Sequence, residues 1–290
     1  MELNRNTTEC YISKYGSALK EREPLVSIVI PTRNSGRTLE QCLKCILRQT
    51  YTNLEVIIVD TNSTDNTLDI TARMKCNVIF TDWRLLGARY EGCKVASGDY
   101  IVLLDSDQFL EDSSIERCML LAQEYDMLCL EEMTYEAKTF IEKLYDSDRR
   151  LVQSEFEVQK DPFYGAVAPR FYRQGILRKA LSHIPEQILP FAVAREDAII
   201  YYEAWKISSK VAIVPNALWH VEAKNLTEVW QKSFFYGKST RKLVESGYYN
   251  ELLRRKVRFR KTTTKICKDK LLSLFLLLLK GPPYYLGFYF

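Results

Sequence analysis

Three groups of residues have the types and spacing to do chemistry. Asp105 and Asp107, in Asp105-Ser106-Asp107, follow the apolar run at residues 100–104. Two carboxylates at the mouth of a buried strand can present oxygens to one hard cation, Mg2+ or Mn2+, which such ligands share with substrate phosphates. The chain holds its own control, because Asp146-Ser147-Asp148 repeats the tripeptide. That copy follows the helical stretch 140–145 and reads as a solvated helix end. Glu196-Asp197 stands between the apolar stretches 191–194 and 198–202. A carboxylate there can act as a general base toward a hydroxyl, or can simply favour the dipole at a helix start. His220 lies in Trp219-His220-Val221-Glu222. An imidazole can complete a cation site begun by carboxylates, or can serve as a structural hydrogen-bonder. The other histidine, His183, has no acid within two residues.

These residues need a scaffold, and the first half of the chain alternates strand and helix signals. Residues 25–30 (LVSIVI) form a short β-branched run ending at Pro31, which reads as a strand buried on both faces. Thr38 opens a helix, with Gln41 placed as in a capping box. Leu39, Cys42, Leu43, Ile46 and Leu47 give it one apolar face. Residues 54–59, 77–80 and 100–104 read as further strands, with helices over 67–74 and 86–96 between them. Such alternation predicts βαβ units and a mostly parallel sheet flanked by helices. Ligands of these sheets bind at the carboxyl ends of the strands. Those ends carry Thr32, Arg33, Asn34, Asp60, Asp82, Asp105 and Asp107. No G-x-G-x-x-G and no Walker lysine loop follows the first strand, which disfavours dinucleotide and P-loop enzymes.

The second half is less regular. Helices are expected over 116–125 and 135–151, and strands over 163–172 and 211–214. Asn225 with Glu228 resembles a capping box opening an aromatic-rich helix through Trp230, Phe234 and Phe235 toward Lys242. No Pro/Gly/Ser-rich linker divides the chain. The expected layout is an N-terminal extension at 1–23, one α/β domain at 24–253 and a basic and apolar extension at 254–290.

The composition is globular: 47% hydrophobic, 27% charged and 12% aromatic, which excludes disordered and collagen-like chains. Eight cysteines lack a framework spacing, and Cys42-x-x-Cys45 has no second pair to make a zinc site, so ordinary thiols are expected. Residues 1–23 lack a secretory-signal pattern, so a cytoplasmic chain is expected. Residues 254–270 hold nine Lys or Arg and one Asp, a local +8 in a chain of net +4. An apolar run at 271–279 follows, too short to span a bilayer, and Lys280, Gly281, Pro282 and Pro283 are expected to break it. With the aromatic tail 284–290, this pattern predicts peripheral contact with the cytoplasmic membrane face. A terminal helix packed on the core is the alternative, and a nucleic-acid arm ranks below both.

Taken together, the segments resemble a known family. PLVSIVIPTRNSGRTLEQCLKCILRQTYTNLEVIIVDTNSTDNT resembles the opening of family 2 glycosyltransferases, which have the GT-A (Rossmann-like) fold. GARYEGCKVASGDYIVLLDSD resembles their arginine segment and D-x-D motif, REDAIIYYEAWK their acidic acceptor-site step, and HVEAKNLTEVW their downstream histidine segment. The likeness runs from Pro24 to Tyr236, and four motifs in order are more specific than any one. It implies that Pro31, Thr32 and Asn34 line a nucleotide pocket, that Asp60 lies near base or ribose, and that Arg89 contacts the nucleotide. It further implies Asp105 and Asp107 at the ribose and metal–diphosphate, Asp197 with Glu196 as the general base, and His220 at metal or diphosphate. Thr61 stands where many relatives carry a second acid, and Tyr90 where they carry Asn. The Q-x-x-R-W signature of processive synthases is absent.

The resemblance therefore predicts inverting transfer from a nucleotide diphosphate sugar to a hydroxyl or phosphate acceptor, with a lipid-linked glycan suggested by the tail. A sugar nucleotidyltransferase and a non-catalytic membrane- or nucleic-acid-binding protein are the alternatives. The first would release pyrophosphate and would normally carry a Gly-rich basic loop after strand one. The second would keep its partner binding without the site carboxylates.

Overall fold

The computed structural model describes residues 23–154, 160–163, 167–253 and 267–290. Residues 1–22 of the expected extension at 1–23, and 254–266 of the basic run, lie outside the described residues. Eight strands form one sheet in the order β3-β2-β1-β4-β7-β6-β8-β5. The first half is parallel and matches the βαβ expectation. β1 (Val26–Thr32) pairs in parallel with β2 (Leu54–Asp60) and β4 (Tyr100–Leu103), and β2 pairs in parallel with β3 (Asn77–Phe80).

Every residue of β1 is buried, as its unbroken apolar run requires. Side chains alternate across the sheet. Ile28 and Ile30 pack with Leu39, Cys42, Leu43 and Ile46 of α1 (Leu39–Leu47). Val29 packs on the other face with Leu86, Ala88 and Cys93 of α3 (Leu85–Val95). The shorter α2 (Thr67–Arg73) links β2 to β3. Thr38 stands at the start of α1, but its side chain accepts no capping bond. Gln41 instead donates to Cys45, so the expected box does not form.

The second half of the sheet is mixed. β5 (Gln108–Leu110) runs antiparallel to β8 (Val211–His220), while β6 (Met127–Thr134) is parallel to β8. β7 (Phe171–Arg173) is antiparallel to both β4 and β6. Neither β5 nor β6 is expected from the sequence. In place of a strand over 163–172, only Phe171–Arg173 is strand among the described residues. β8 also runs on past the expected end at Val214. The sheet absorbs Pro215 and Asn216 through a register shift at Leu130/Glu132, with Asn216 in left-handed backbone (φ +48°). The carboxylate of Glu131 accepts the Asn216 N–H.

Among the described residues, four α-helices lie between β5 and β8: α4 (Ser114–Leu121), α5 (Phe140–Gln153), α6 (Gln174–Ser182) and α7 (Glu196–Trp205). α5 starts later than expected because Thr139 and Glu142 make a reciprocal capping box. Asp146-Ser147-Asp148 therefore sits inside α5 and is no solvated helix end. Ser147 is buried, and Asp148 accepts from Ser273.

α8 (Leu226–Glu245) starts at Asn225, whose side chain accepts the Glu228 N–H at 2.9 Å. The one-turn α9 (Asn250–Leu253) follows. α10 (Cys267–Tyr289) corrects the sequence expectation most. It is one helix of 23 residues with Pro282 and Pro283 inside it. Proline removes a helical hydrogen bond and crowds the preceding turn, but here the turns beyond it are clamped onto α8. A Cβ on Gly237 would come 2.0 Å from the Tyr284 carbonyl oxygen, and one on Gly287 would come 2.0 Å from that of Phe234. Only two glycines allow the helices so close. The helix is long and apolar enough to cross a membrane by length and composition, which the nine-residue apolar run alone did not suggest.

Candidate active site

The carboxyl ends of β1 and β4 open into a cleft of about 560 Å³. Six of the ten expected site residues line it: Pro31, Asp105, Asp107, Glu196, Asp197 and His220. Three others form one edge. Asp60 is fully buried, and its carboxylate accepts from the Thr32 hydroxyl (2.8 Å), the Ser63 hydroxyl (2.6 Å) and the Ser63 N–H (2.9 Å). Asn34, in left-handed backbone at φ +51°, donates its N–H to Ser63 and accepts the N–H of Thr64. The tenth, Arg89, lies beneath the cleft floor and is 1% exposed.

Arg89 begins a buried chain of alternating charge that runs on through Asp105. Its guanidinium lies 3.3 Å from Glu196 and 2.6 Å from Asp105. Asp105 is also 3.2 Å from Arg170, which pairs with Glu132 at 2.9 Å. Glu132 and Glu222 in turn pair with Arg149. Buried charges persist only when paired in this way. Burial works to raise the Glu132 carboxyl, but Arg149 and Arg170 outweigh it and hold Glu132 well below its ordinary value.

Strand pairing explains how the second acid of the D-x-D meets the histidine. Gln108 is opposite His220 in the β5–β8 ladder, and the Asp107 carbonyl accepts the Val221 N–H at 2.9 Å. His220 Nε2 then lies 3.4 Å from Asp107 Oδ2, while Nδ1 lies 3.3 Å from Glu132. Burial opposes the charged imidazole, but Asp107 and Glu222 win and push His220 up to about 9. Asp107, raised by burial but lowered more by His220 and Lys232, is held below the carboxylate range.

The acidic step sits in the first turn of α7, entered through Arg195 in left-handed backbone (φ +68°), a conformation that costs a residue with a Cβ. α8 holds the approach in place, because the Ser239 hydroxyl accepts the N–H groups of Val193 (3.0 Å) and Ala194 (3.1 Å). Burial, then repulsion from Asp197, push Glu196 up to about 8 against the pull of Arg89. Asp197 instead accepts the Ala198 N–H at 2.7 Å and faces the cleft.

A second cavity of about 660 Å³ adjoins the first. The two share six residues: Arg170, Asp197, His220, Lys232, Tyr236 and Tyr284. α5 and α10 supply much of the second cavity's wall, through Tyr145, Arg149, Leu277 and Tyr285 among others. Sequence reasoning missed Glu132, Arg149, Arg170, Lys232 and Tyr236. Tyr236 beside it, then Asp107 and Glu222, hold Lys232 above its ordinary value despite burial. The helical spacing of Lys232 and Tyr236 on a face that also carries buried Ser239 was the available signal.

The family model for glycosyl transferase family 2 matches residues 27–200. The chain belongs to this family. It is similar to the glycosyltransferase GlyG of Streptococcus pneumoniae serotype 4, 36% identical over 109 residues, which are 35% of this chain and 36% of that protein. GlyA of the same organism is 24% identical over 234 residues, 73% of this chain and 32% of that protein. The matches thus span about a third of these relatives. Among solved structures, the mannosyltransferase PcManGT from Pyrobaculum calidifontis, in complex with GDP-Man and Mn2+, superposes with a TM-score of 0.54 at 16% identity, covering 97% of this chain and 80% of that one. S. aureus TarS 1-349 in complex with UDP-GlcNAc gives 0.53 at 15%, covering 90% and 81%. These likenesses establish the GT-A-like fold.

Among the described residues, no group of three or more His, Cys, Asp or Glu is placed to hold an ion. A self-sufficient cation site does not fit. Asp107 fits a different role, since Mg2+ and Mn2+ are commonly held by one or two protein groups plus substrate phosphates, whereas His220, charged beside it, suits a diphosphate oxygen.

Proposed function

We propose that this domain transfers a sugar, with inversion, from a nucleotide diphosphate sugar to a hydroxyl or phosphate acceptor. The observation that carries this reading is the position of Asp197 in the wall common to both cavities. A base in that wall stands where an acceptor hydroxyl held in one cavity would meet a donor's anomeric carbon held in the other. The donor would occupy the cleft at the ends of β1 and β4, the usual ligand edge of such a sheet. The nucleotide sugars in the PcManGT and TarS complexes support this choice of donor class.

Asp197 takes the proton of the acceptor hydroxyl as that oxygen attacks opposite the leaving group. The bond to the departing diphosphate breaks in the same step, so inversion follows and no covalent intermediate is needed. Arg170, Lys232 and protonated His220 lie in the cleft wall, where they can offset charge developing on the diphosphate. Asp107 would hold Mg2+ or Mn2+ together with the donor's phosphates, with charged His220 facing the diphosphate beside it, and the cation would add to the same charge compensation. Arg89 orients Asp105 and Glu196 from below, so its influence on a nucleotide runs through them. The second cavity would take the acceptor. Its α10 wall suits a glycan carried on a lipid, since Leu277, Tyr284 and Tyr285 offer apolar surface beside charged groups.

The first test is thermal stabilisation by UDP, GDP and their sugars, with and without Mn2+, followed by product analysis. Ligand binding raises the melting temperature by mass action. Stabilisation by one nucleotide family, with release of its nucleoside diphosphate on turnover, is the expected result. Stabilisation by none of them, or release of pyrophosphate, would overturn the reading.

A further inference from the structure

α10 turns Asp269, Ser273 and Lys280 toward the domain and leaves many of its large apolar side chains exposed. The positions turned toward the domain are Asp269 (8% exposed), Ser273 (4%) and Leu276 (0%), followed by half-buried Lys280 and buried Pro283 and Gly287. Their spacing of four, three, four, three and four is one helix face. The polar members have partners in α5. Asp269 accepts from Arg150 at 2.8 Å, Ser273 donates to Asp148, and the Lys280 ammonium lies 4.1 Å over the Tyr145 ring. The opposite face is apolar and open: Leu271 is 67% exposed, Leu278 62%, Tyr285 60% and Tyr289 67%, with Leu274 and Phe275 between. A helix resting on a domain in water would show the reverse pattern.

We propose that this outer face lies in the plane of an anionic bilayer surface. A contiguous exposed apolar patch needs a cover, and charge selects the one that fits. Exposed Lys268 and Lys270 start the helix, exposed Lys143 stands on α5, and Lys238 and Lys242 are exposed on α8. At the other end the apolar face finishes in aromatics, Tyr285, Tyr289 and Phe290, the side chains enriched where lipid meets water. Basic residues beside an apolar stripe bind anionic lipid through both terms at once. The helix lies along the surface and does not cross it, because α8 is locked against it at Gly237 and Gly287 and carries Lys238, Arg241, Lys242 and Glu245. The second cavity, walled by the same helix, then faces the headgroup layer. That last consequence rests on the transferase reading; the docking itself does not.

The test is flotation of the full chain with vesicles of phosphatidylcholine alone and of phosphatidylcholine mixed with phosphatidylglycerol. The comparison variant is Leu271→Glu with Leu278→Glu, both exposed, so folding is kept and is verified by an unchanged melting temperature. The wild type should float with anionic vesicles, less with neutral ones, and less as salt rises. The double variant should lose roughly tenfold or more of its partitioning, since each acid removes apolar contact and adds repulsion. Equal flotation of variant and wild type, or no flotation of the wild type, overturns the proposal. So does light scattering that finds a wild-type dimer and a monomeric variant, because a second copy would then be the cover. Nucleotide stabilisation is read in the same samples. Its absence would count against the transferase reading and leave the vesicle result standing.

Discussion

Glu196 and Asp197 are neighbours in sequence but serve different surroundings: Glu196 lies 3.3 Å from the buried Arg89 guanidinium, whereas Asp197 faces both cavities. In the proposed reaction the proton-accepting role therefore falls on Asp197. Asp197→Asn keeps the shape and the bond from the Ala198 N–H. Turnover should fall roughly 10²–10⁴-fold, the usual worth of a general base, while nucleotide binding by calorimetry stays intact. Lost binding with retained turnover per bound donor would assign Asp197 to the donor instead.

Glu196 makes the fold sensitive to pH. Its carboxyl is pushed up to about 8, against an ordinary value of 4.5, chiefly by burial. The folded chain thus keeps a proton that the unfolded chain releases. Stability from this group falls as pH rises from about 4.5 to about 8 and is level above that. In urea denaturation, Glu196→Gln should gain on the wild type from pH 5 to pH 8.5. A constant difference across that range would show that Glu196 does not hold the proton.

Arg89 is fully enclosed between two acids, so its removal leaves Asp105 with Arg170 alone. Arg89→Met should lower stability by about 3–5 kcal/mol, the cost of breaking a buried pair. Arg89→Lys should recover part of this. A Met variant as stable as the wild type in urea would mean that the pairing contributes nothing net.

The parallel half of the fold was legible because its strands are unbroken apolar runs ending at polar residues, as 54–59 ends at Asp60. β6 was not, because MLCLEEMT interrupts its apolar pattern with Glu131 and Glu132, whose partners Asn216, Arg149 and Arg170 are distant in sequence. The same distance hid the charge chain: nothing near Arg170 in sequence announces Asp105. Asp107 and His220 were legible as types, but their approach depends on the β5–β8 ladder, and β5 is too short to read. α10 was misjudged at Pro282-Pro283 because local rules end helices there, while the cause of its continuation lies in α8.

Asp107 lines the cleft, and in the proposed mechanism it meets the donor's phosphates through a cation. Asp107→Asn should abolish the Mn2+-dependent part of nucleotide binding and spare the fold, as thermal shifts with and without metal would reveal. Unchanged metal dependence would remove Asp107 from that role.

The crossing of α8 and α10 depends on absent side chains. Gly237→Ala places a methyl 2.0 Å from the Tyr284 carbonyl oxygen, so one helix must shift. A loss of about 1–3 kcal/mol is expected from such overpacking. Gly175→Ala is the control, since a Cβ there meets nothing within 4 Å. Equal stability of both variants would mean that α10 moves away freely.

The ladder that joins β5 to β8 also sets an order of events. Domains tend to fold from the N-terminus as they are made. The parallel strands and the D-x-D emerge well before β8, so a growing chain can build its sheet centre while Asp107 still lacks His220 and Asp197 has yet to appear. On the proposed mechanism, the base and the diphosphate site therefore come into being together, late in synthesis. An unfinished chain would hold no working centre that could spend donor on water.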